Sequence, residues 1–216
     1  SETGITKVYE WNGSNWLQKG SGIGGRATSS WSGTAVSLSG DGKFLAIGSP
    51  RYSDDGKVEE QGRTRVFSWS NSAWVRVGSD LKGTLRSLFG YDVELNHDGT
   101  SLAVSSFGTD DSRSGALTIF EWDDTSWEIK GQEIIGGSNG DLAREVALSD
   151  DGNRVIYGAW LHDGSVEDTG QVRTFDYVAP DAYPLVSIAG YSDADSDGWP
   201  DQCATDCIQA QMSADA

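Results

Sequence analysis

Apolar and polar residues alternate in short runs along most of this chain, and the same runs return three times. In Lys7-Val-Tyr-Glu-Trp11, Thr64-Arg-Val-Phe-Ser-Trp69 and Thr118-Ile-Phe-Glu-Trp122, polar residues exchange with aromatic or aliphatic ones at a period close to two, which predicts half-buried strands. Each run meets a turn (Asn12-Gly13, Asn71-Ser72, Asp123-Asp124) built from residues that tolerate positive φ, and Trp16, Trp74 and Trp127 then resume a second strand. A third strand carries Val36/Leu38, Val93/Leu95 and Val146/Leu148 at spacing two. It turns at Asp41-Gly42, Asp98-Gly99 and Asp151-Gly152 into a fourth strand that is almost wholly apolar, as in Leu45-Ala-Ile-Gly-Ser-Pro50, Leu102-Ala-Val-Ser105 and Val155-Ile-Tyr-Gly158. A strand apolar on both faces is buried on both faces, so this fourth strand is expected to be innermost, around an axis.

The anchors Gly4, Gly62, Gly115 and Gly170 recur at a period of roughly 55 residues, which suits propeller blades better than helical solenoids. The sequence therefore predicts an all-β chain of β-propeller-type blades: three four-stranded repeats at about 4–61, 62–114 and 115–169, and a partial fourth at 170–178. Blade and repeat boundaries are expected to differ by one strand. Three units and a fragment imply an incomplete or open ring whose sheet edges need covering, by other copies of the chain or by further blades of a larger assembly. Residues 1–178 form the repeat region, and 179–216 form a separate acidic tail.

Charge narrows the partners. Against 16 basic residues stand 33 acidic ones, a formal net charge of −17, which disfavours nucleic acid and anionic membranes and favours cations. No apolar run reaches the roughly 20 residues of a membrane span. The chain opens at Ser1 without an initiator Met, which reads either as a processed secreted protein or as a piece of a longer precursor.

The combination of Phe/Trp-Gly, Val-x-Leu, Asp-Gly, Leu-Ala-Ile-Gly-Ser-Pro and a Gly-led Val-Tyr or Val-Phe strand resembles the FG-GAP repeats of integrin-α-type β-propellers. With Trp-x4-Trp-x3-Gly added, it is similar to tandem propeller repeats of secreted marine bacterial and algal proteins. The resemblance spans about residues 4–177 and implies a propeller fold at an extracellular surface. In that family the hairpin before the apolar strand often holds calcium. Here the corresponding positions are Ser37, Ser39, Asp41 and Leu45, then Glu94, Asn96, Asp98 and Leu102, then Ala147, Ser149, Asp151 and Val155, so each loop reads as a plain turn.

One loop keeps a full acidic set. Asp193, Asp195, Asp197 and Asp201, with Gly198 at the sharp turn and the Trp199 carbonyl, match EF-hand spacing, although Ala204 stands at the twelfth position and only Asp206 is near enough to substitute. The loop resembles type 3 repeats of thrombospondins. A Ca²⁺ site is the expectation here, and a solvated acidic linker the alternative. Cys203 and Cys207 are spaced for a disulfide within a compact turn, with pairing to another chain left open; a disulfide places the chain in an oxidising, extracellular compartment.

No catalytic constellation stands out. His97 takes the turn position of Gly40 and Asp150, His162 sits in a variable loop, and the recurring tryptophans read as blade packing. Phe107 and Trp160, which share a repeat position with Pro50, lead into acidic loops at 51–61, 108–114 and 161–169. They are the candidate aromatic platform for carbohydrate or an extracellular protein. The expected function is a secreted, non-enzymatic structural or adhesion module at a cell surface or in an extracellular assembly. A propeller-type polysaccharide lyase or glycosidase, working through loop carboxylates, is the alternative.

Overall fold

The computed structural model describes residues 3–25, 29–54, 60–108, 115–136, 144–159, 162 and 169–178, and within them every regular element is a strand. At the N-terminus β1 (Ile5–Thr6) and β2 (Tyr9–Trp11) pair with β4 (Ile23–Gly24) and β3 (Trp16–Gln18), respectively. Strands β5 (Val36–Leu38), β6 (Phe44–Ser49), β7 (Arg63–Ser70) and β8 (Ala73–Lys82) then form an antiparallel sheet in that order. The next sheet is β9 (Val93–Leu95), β10 (Ser101–Ser106), β11 (Ala116–Trp122) and β12 (Trp127–Ile129), with β13 (Ile134–Ile135) also on β11. The last sheet is β14 (Glu145–Leu148), β15 (Arg154–Ala159) and β16 (Gln171–Asp176).

These sheets are propeller blades, but their phase differs from that of the sequence repeat. Each blade takes its first two strands from one repeat and its last two from the next, a shift of two strands where one was expected. A repeat has the same period wherever it is cut, so spacing alone leaves the phase open. The order of strands within a blade differs too. The axial strands are β5, β9 and β14, with β9 lying against both of the others. The apolar strands β6, β10 and β15 come second. A second strand has sheet neighbours on both edges and blades on both faces, whereas an axial strand borders the central channel.

The two-sided burial is visible residue by residue. Leu45 and Ile47 of β6 join Phe67 in a core shared with Val8, Ile23 and Trp74, while Ala46 between them faces the next blade with Val66, Leu102, Val104 and Phe120. Ala103 likewise turns away from Leu102 and Val104 to meet Leu117, Ile119, Val155 and Tyr157. Alternate residues of one strand thus feed two inter-blade cores.

At the end of the axis carrying the Asp-Gly turns, successive blades are tied through their backbones. Asp41 N–H donates to the His97 carbonyl (3.1 Å), and His97 N–H donates to that of Asp150 (3.2 Å). His97 is therefore a turn residue, as its repeat position suggested. Gly40 packs closely beside it: a Cβ there would lie 2.2 Å from His97 Nδ1, so a larger residue needs the exposed His97 ring to move. The turn carboxylates serve the turns themselves. Asp41 accepts from Ser39 Oγ and Lys43 N–H, Asp98 from Thr100, and Asp151 from Ser149 Oγ and Asn153 N–H. Burial alone would raise the Asp41 carboxyl, but hydrogen bonds from Lys43 and Ser39 hold it at about 2.

Candidate functional site

The opposite end of the axis, where β9 and β14 begin, gathers different chemistry. Tyr91 enters β9 with its ring stacked on Phe107, which follows β10; the centroids are 5.2 Å apart and the planes 23° apart. Arg144, just ahead of β14, lays its guanidinium over both rings, 4.5 Å from Phe107 and 5.3 Å from Tyr91. Such a cation over aromatic faces is oriented and partly desolvated by them.

Asp92 sits beside this stack and bridges two blades. Its Oδ1 accepts the Val93 N–H at 2.9 Å and its Oδ2 accepts the Val146 N–H of the next blade at 2.8 Å. Its own N–H donates to Ser105 Oγ at 2.8 Å. Burial pushes the Asp92 carboxyl up from its ordinary value; the two backbone donors work against that, and the charge of Glu145 adds to it. Two residues along the axial strand, burial also raises Glu94, against a hydrogen bond with Ser37, and the Asp92 charge adds to the rise. Ser37 Oγ in turn accepts the Leu95 N–H at 2.9 Å, joining the first complete blade to the second.

The mouth therefore offers two half-buried carboxyls with raised proton affinity, an exposed carboxylate at Glu145, and one guanidinium held on an aromatic stack. Each carboxylate oxygen of Asp92 takes one backbone donor and keeps lone-pair capacity for a water or a substrate hydroxyl. Among the described residues, no group of three or more His, Cys, Asp or Glu side chains is arranged to hold a metal.

Of the residues singled out from sequence, Phe107 belongs to this mouth as one ring of the stack. Trp160 lies outside the described residues, as do the calcium-loop positions Asp193, Asp195, Asp197, Trp199 and Asp201 and the pair Cys203 and Cys207. Tyr91, Asp92, Glu94 and Arg144 were missed. A signal for them existed: positions 34, 91 and 144 align in the repeat, and Thr, Tyr and Arg there break a pattern that is otherwise kept. The repeating tryptophans do pack blades, but unequally. Trp127 is buried, whereas Trp11 and Trp16 are 51% and 66% exposed.

No family model and no curated protein sequence matches the chain. Among solved structures, the periplasmic gluconolactonase of Pseudomonas aeruginosa is similar, with a TM-score of 0.51 and 18% identity, over 79% of this chain and 46% of that one. A candidate 6-phosphogluconolactonase of Bacteroides uniformis has a TM-score of 0.51 and 15% identity, over 82% of this chain and 48% of that one. This chain thus spans less than half the length of either. At this identity the likeness shows the fold alone, that of a β-propeller.

These findings correct two expectations. The FG-GAP resemblance gives way to the lactonase-type propeller likeness. Asp-Gly hairpins before apolar strands satisfy what any stacked blade needs, so they identify blades and not that family. The non-enzymatic structural or adhesion module, and with it the expectation of no enzyme, is overturned in the same way. The solved structures that share the fold are named as lactonases, which sits better with the enzyme alternative. Periodic sequence records blade packing, and that packing is shared by propellers of every function.

Proposed function

We propose that this chain is part of a propeller hydrolase that opens sugar-derived lactones, with its reaction centre at the axial mouth of Tyr91, Asp92, Phe107 and Arg144. The observation that carries the reading is the juxtaposition of the Asp92 carboxyl, raised by burial and oriented by two backbone N–H groups, with the Arg144 guanidinium on the Tyr91–Phe107 stack. The lactonase names of the similar structures support the same class.

In this reading Asp92 acts as general base. It takes a proton from a water as that water adds to the lactone carbonyl, and Arg144 holds the carbonyl oxygen as negative charge develops there. The ring C–O bond then breaks. The departing oxygen takes the proton back from Asp92, and the product is the open hydroxy acid, whose carboxylate Arg144 also suits. A carboxyl raised by burial makes a stronger base than a surface aspartate. A compartment outside the cytoplasm is part of the proposal, in line with the periplasmic neighbour.

The test is acid release from glucono-1,5-lactone in a pH-stat. The chain should exceed the buffer rate, and Asp92→Asn should lower that excess at least 100-fold while leaving the β-type circular dichroism unchanged, in line with the usual contribution of a general base. A wild-type rate equal to that of buffer overturns the reading.

A further inference from the structure

A tryptophan seat recurs at the outer part of each blade junction, and one seat is open. In the first, the Trp74 indole lies against Gly20 and donates Nε1–H to the Lys19 carbonyl at 3.0 Å. In the second, Trp127 lies against Gly78 and donates to the Val77 carbonyl at 3.3 Å. The partner ring of each pair, Trp69 or Trp122, tilts against it at centroid distances of 5.3 and 5.4 Å. The third seat repeats every wall. Gly131 aligns with Gly20 and Gly78, and Tyr177 stands where Trp69 and Trp122 stand, 3.6 Å from a Cβ built on Gly131. Lys130 Nζ lies 4.8 Å over the Tyr177 ring, just as Lys19 Nζ lies 5.3 Å over Trp69. Among the described residues no second ring fills it. In its place is a cavity of about 460 Å³, lined by Lys130, Gly131, Leu148, Val155, Phe175 and Tyr177.

Among the described residues no strand follows β16 at that place. β7 is followed in its sheet by β8, and β11 by β12, whereas β16 ends its sheet. The sequence after Tyr177 does not repeat the Trp-x4-Trp spacing. With the five-residue spacing of the other pairs, Ala182 would face the seat. With one residue more, Tyr183 would, but Pro184 would then fall where β12 has Glu128. The Glu121–Glu128 pair lies two residues from each of the hydrogen-bonded pairs Asp123–Ser126 and Ile119–Lys130 and is therefore of the same hydrogen-bonded kind, so that position must donate an N–H, and proline has none.

We propose that the open seat and the β16 edge bind the β3 strand of a second copy, Trp16-Leu-Gln-Lys19-Gly20, with Trp16 filling the cavity. Three observations select this occupant. Trp16 and Leu17 are 66% and 54% exposed in the monomer. Strands β2 and β3 form an isolated two-stranded sheet of three residues each, a pairing that is marginal by itself and leaves the outer edge of β3 without a neighbouring strand among the described residues. The charges also match: Lys19 pairs with Glu10 at 3.0 Å, and Lys130 with Glu121 at 3.2 Å. Asp176, whose two carboxylate oxygens take Arg154, occupies the same repeat position as Glu10 and Glu121, so a Lys at the Lys19 position of an incoming strand joins that ion pair. The indole N–H then has the Lys130 carbonyl as acceptor. The contact joins the end of one copy to the beginning of the next, so it is heterologous and can propagate or close into a ring.

The probe is a fluorescein-labelled peptide of residues 14–20 added to the full chain and read by anisotropy, alongside sedimentation of the chain at rising concentration. The peptide should bind, its Trp→Ala form should bind at least tenfold more weakly, and Leu148→Trp in the chain, which plugs the cavity, should abolish binding. In sedimentation the wild-type chain should associate, and Trp16→Ala, a change at an exposed side chain, should be monomeric. A monomeric wild type, or peptide binding indifferent to the Trp, overturns the proposal. So does a chain that binds the peptide only after Tyr183→Ala, which would mean that its own tail holds the seat. None of these readouts depends on lactone hydrolysis.

Discussion

Two of the three blade junctions among the described residues are built from the same repeat and yet differ in kind. Between the first complete blade and the second, Ala46, Val66, Leu102, Val104 and Phe120 close an apolar core that Trp127 caps at its outer end. Between the second blade and the last sheet, Ala103, Leu117, Val155 and Tyr157 form a core that opens outward into the cavity at Gly131 and inward onto Asp92 and Arg144. The repeat therefore guarantees the middle of each contact. Its two ends depend on residues that vary, and those ends are where ligands and partners have room.

The largest break expected is at the filled seat. Trp127→Ala should cost about 4 kcal/mol in urea unfolding, because a buried indole and its hydrogen bond are lost together. The same change at exposed Trp16 should move monomer stability by less than about 0.5 kcal/mol. Equal effects would mean that Trp16 is packed within its own chain as Trp127 is. Next is the pair Leu102→Ala and Leu148→Ala. The first should cost about 3 kcal/mol and the second about 1 kcal/mol, since a side chain already bordering open space leaves little new cavity.

A smaller effect is expected at Asp80, which pairs with Arg63 at 2.9 Å and also with Arg76. Arg63 is only 2% exposed, so Asp80→Asn leaves a buried cation without its counter-charge and should cost about 2 kcal/mol. Burial raises the Asp80 carboxyl, but Arg76 and Arg63 outweigh it and hold the group below its ordinary value. A depressed folded pKa means that this stabilisation is present above the unfolded value of about 3.9 and is lost as pH falls through the folded one. Acid unfolding of Asp80→Asn should accordingly start from lower stability and show a shallower slope.

The smallest effect has the opposite sign. Asp92 is raised by burial, so the folded state holds its proton more tightly than the unfolded chain does. Its contribution is most favourable below about pH 3.9 and declines as pH rises through the folded pKa. Asp92→Asn should remove that decline from the stability profile. An unchanged profile would place Asp92 in ordinary solvent and weaken the contrast between the axial mouth and the dry junction.

Much of this was written in the sequence. Alternation in Thr64–Trp69 and Thr118–Trp122 predicted β7 and β11, and Asp-Gly at 41, 98 and 151 predicted the turns into β6, β10 and β15, because strand period and turn chemistry are local properties. The blade type followed from the period of the anchor glycines. Which strand lines the axis did not follow, since full apolarity marks burial and burial is greatest in the second strand, flanked on all four sides. The mouth was equally hidden: Tyr91, Asp92, Phe107 and Arg144 are scattered over some fifty residues and meet only because β9, β10 and β14 converge at one end of the axis. The open seat at Gly131 likewise exists only by comparison in space with Gly20 and Gly78. Local order comes from each strand's own residues, and the sites come from how separate strands are stacked.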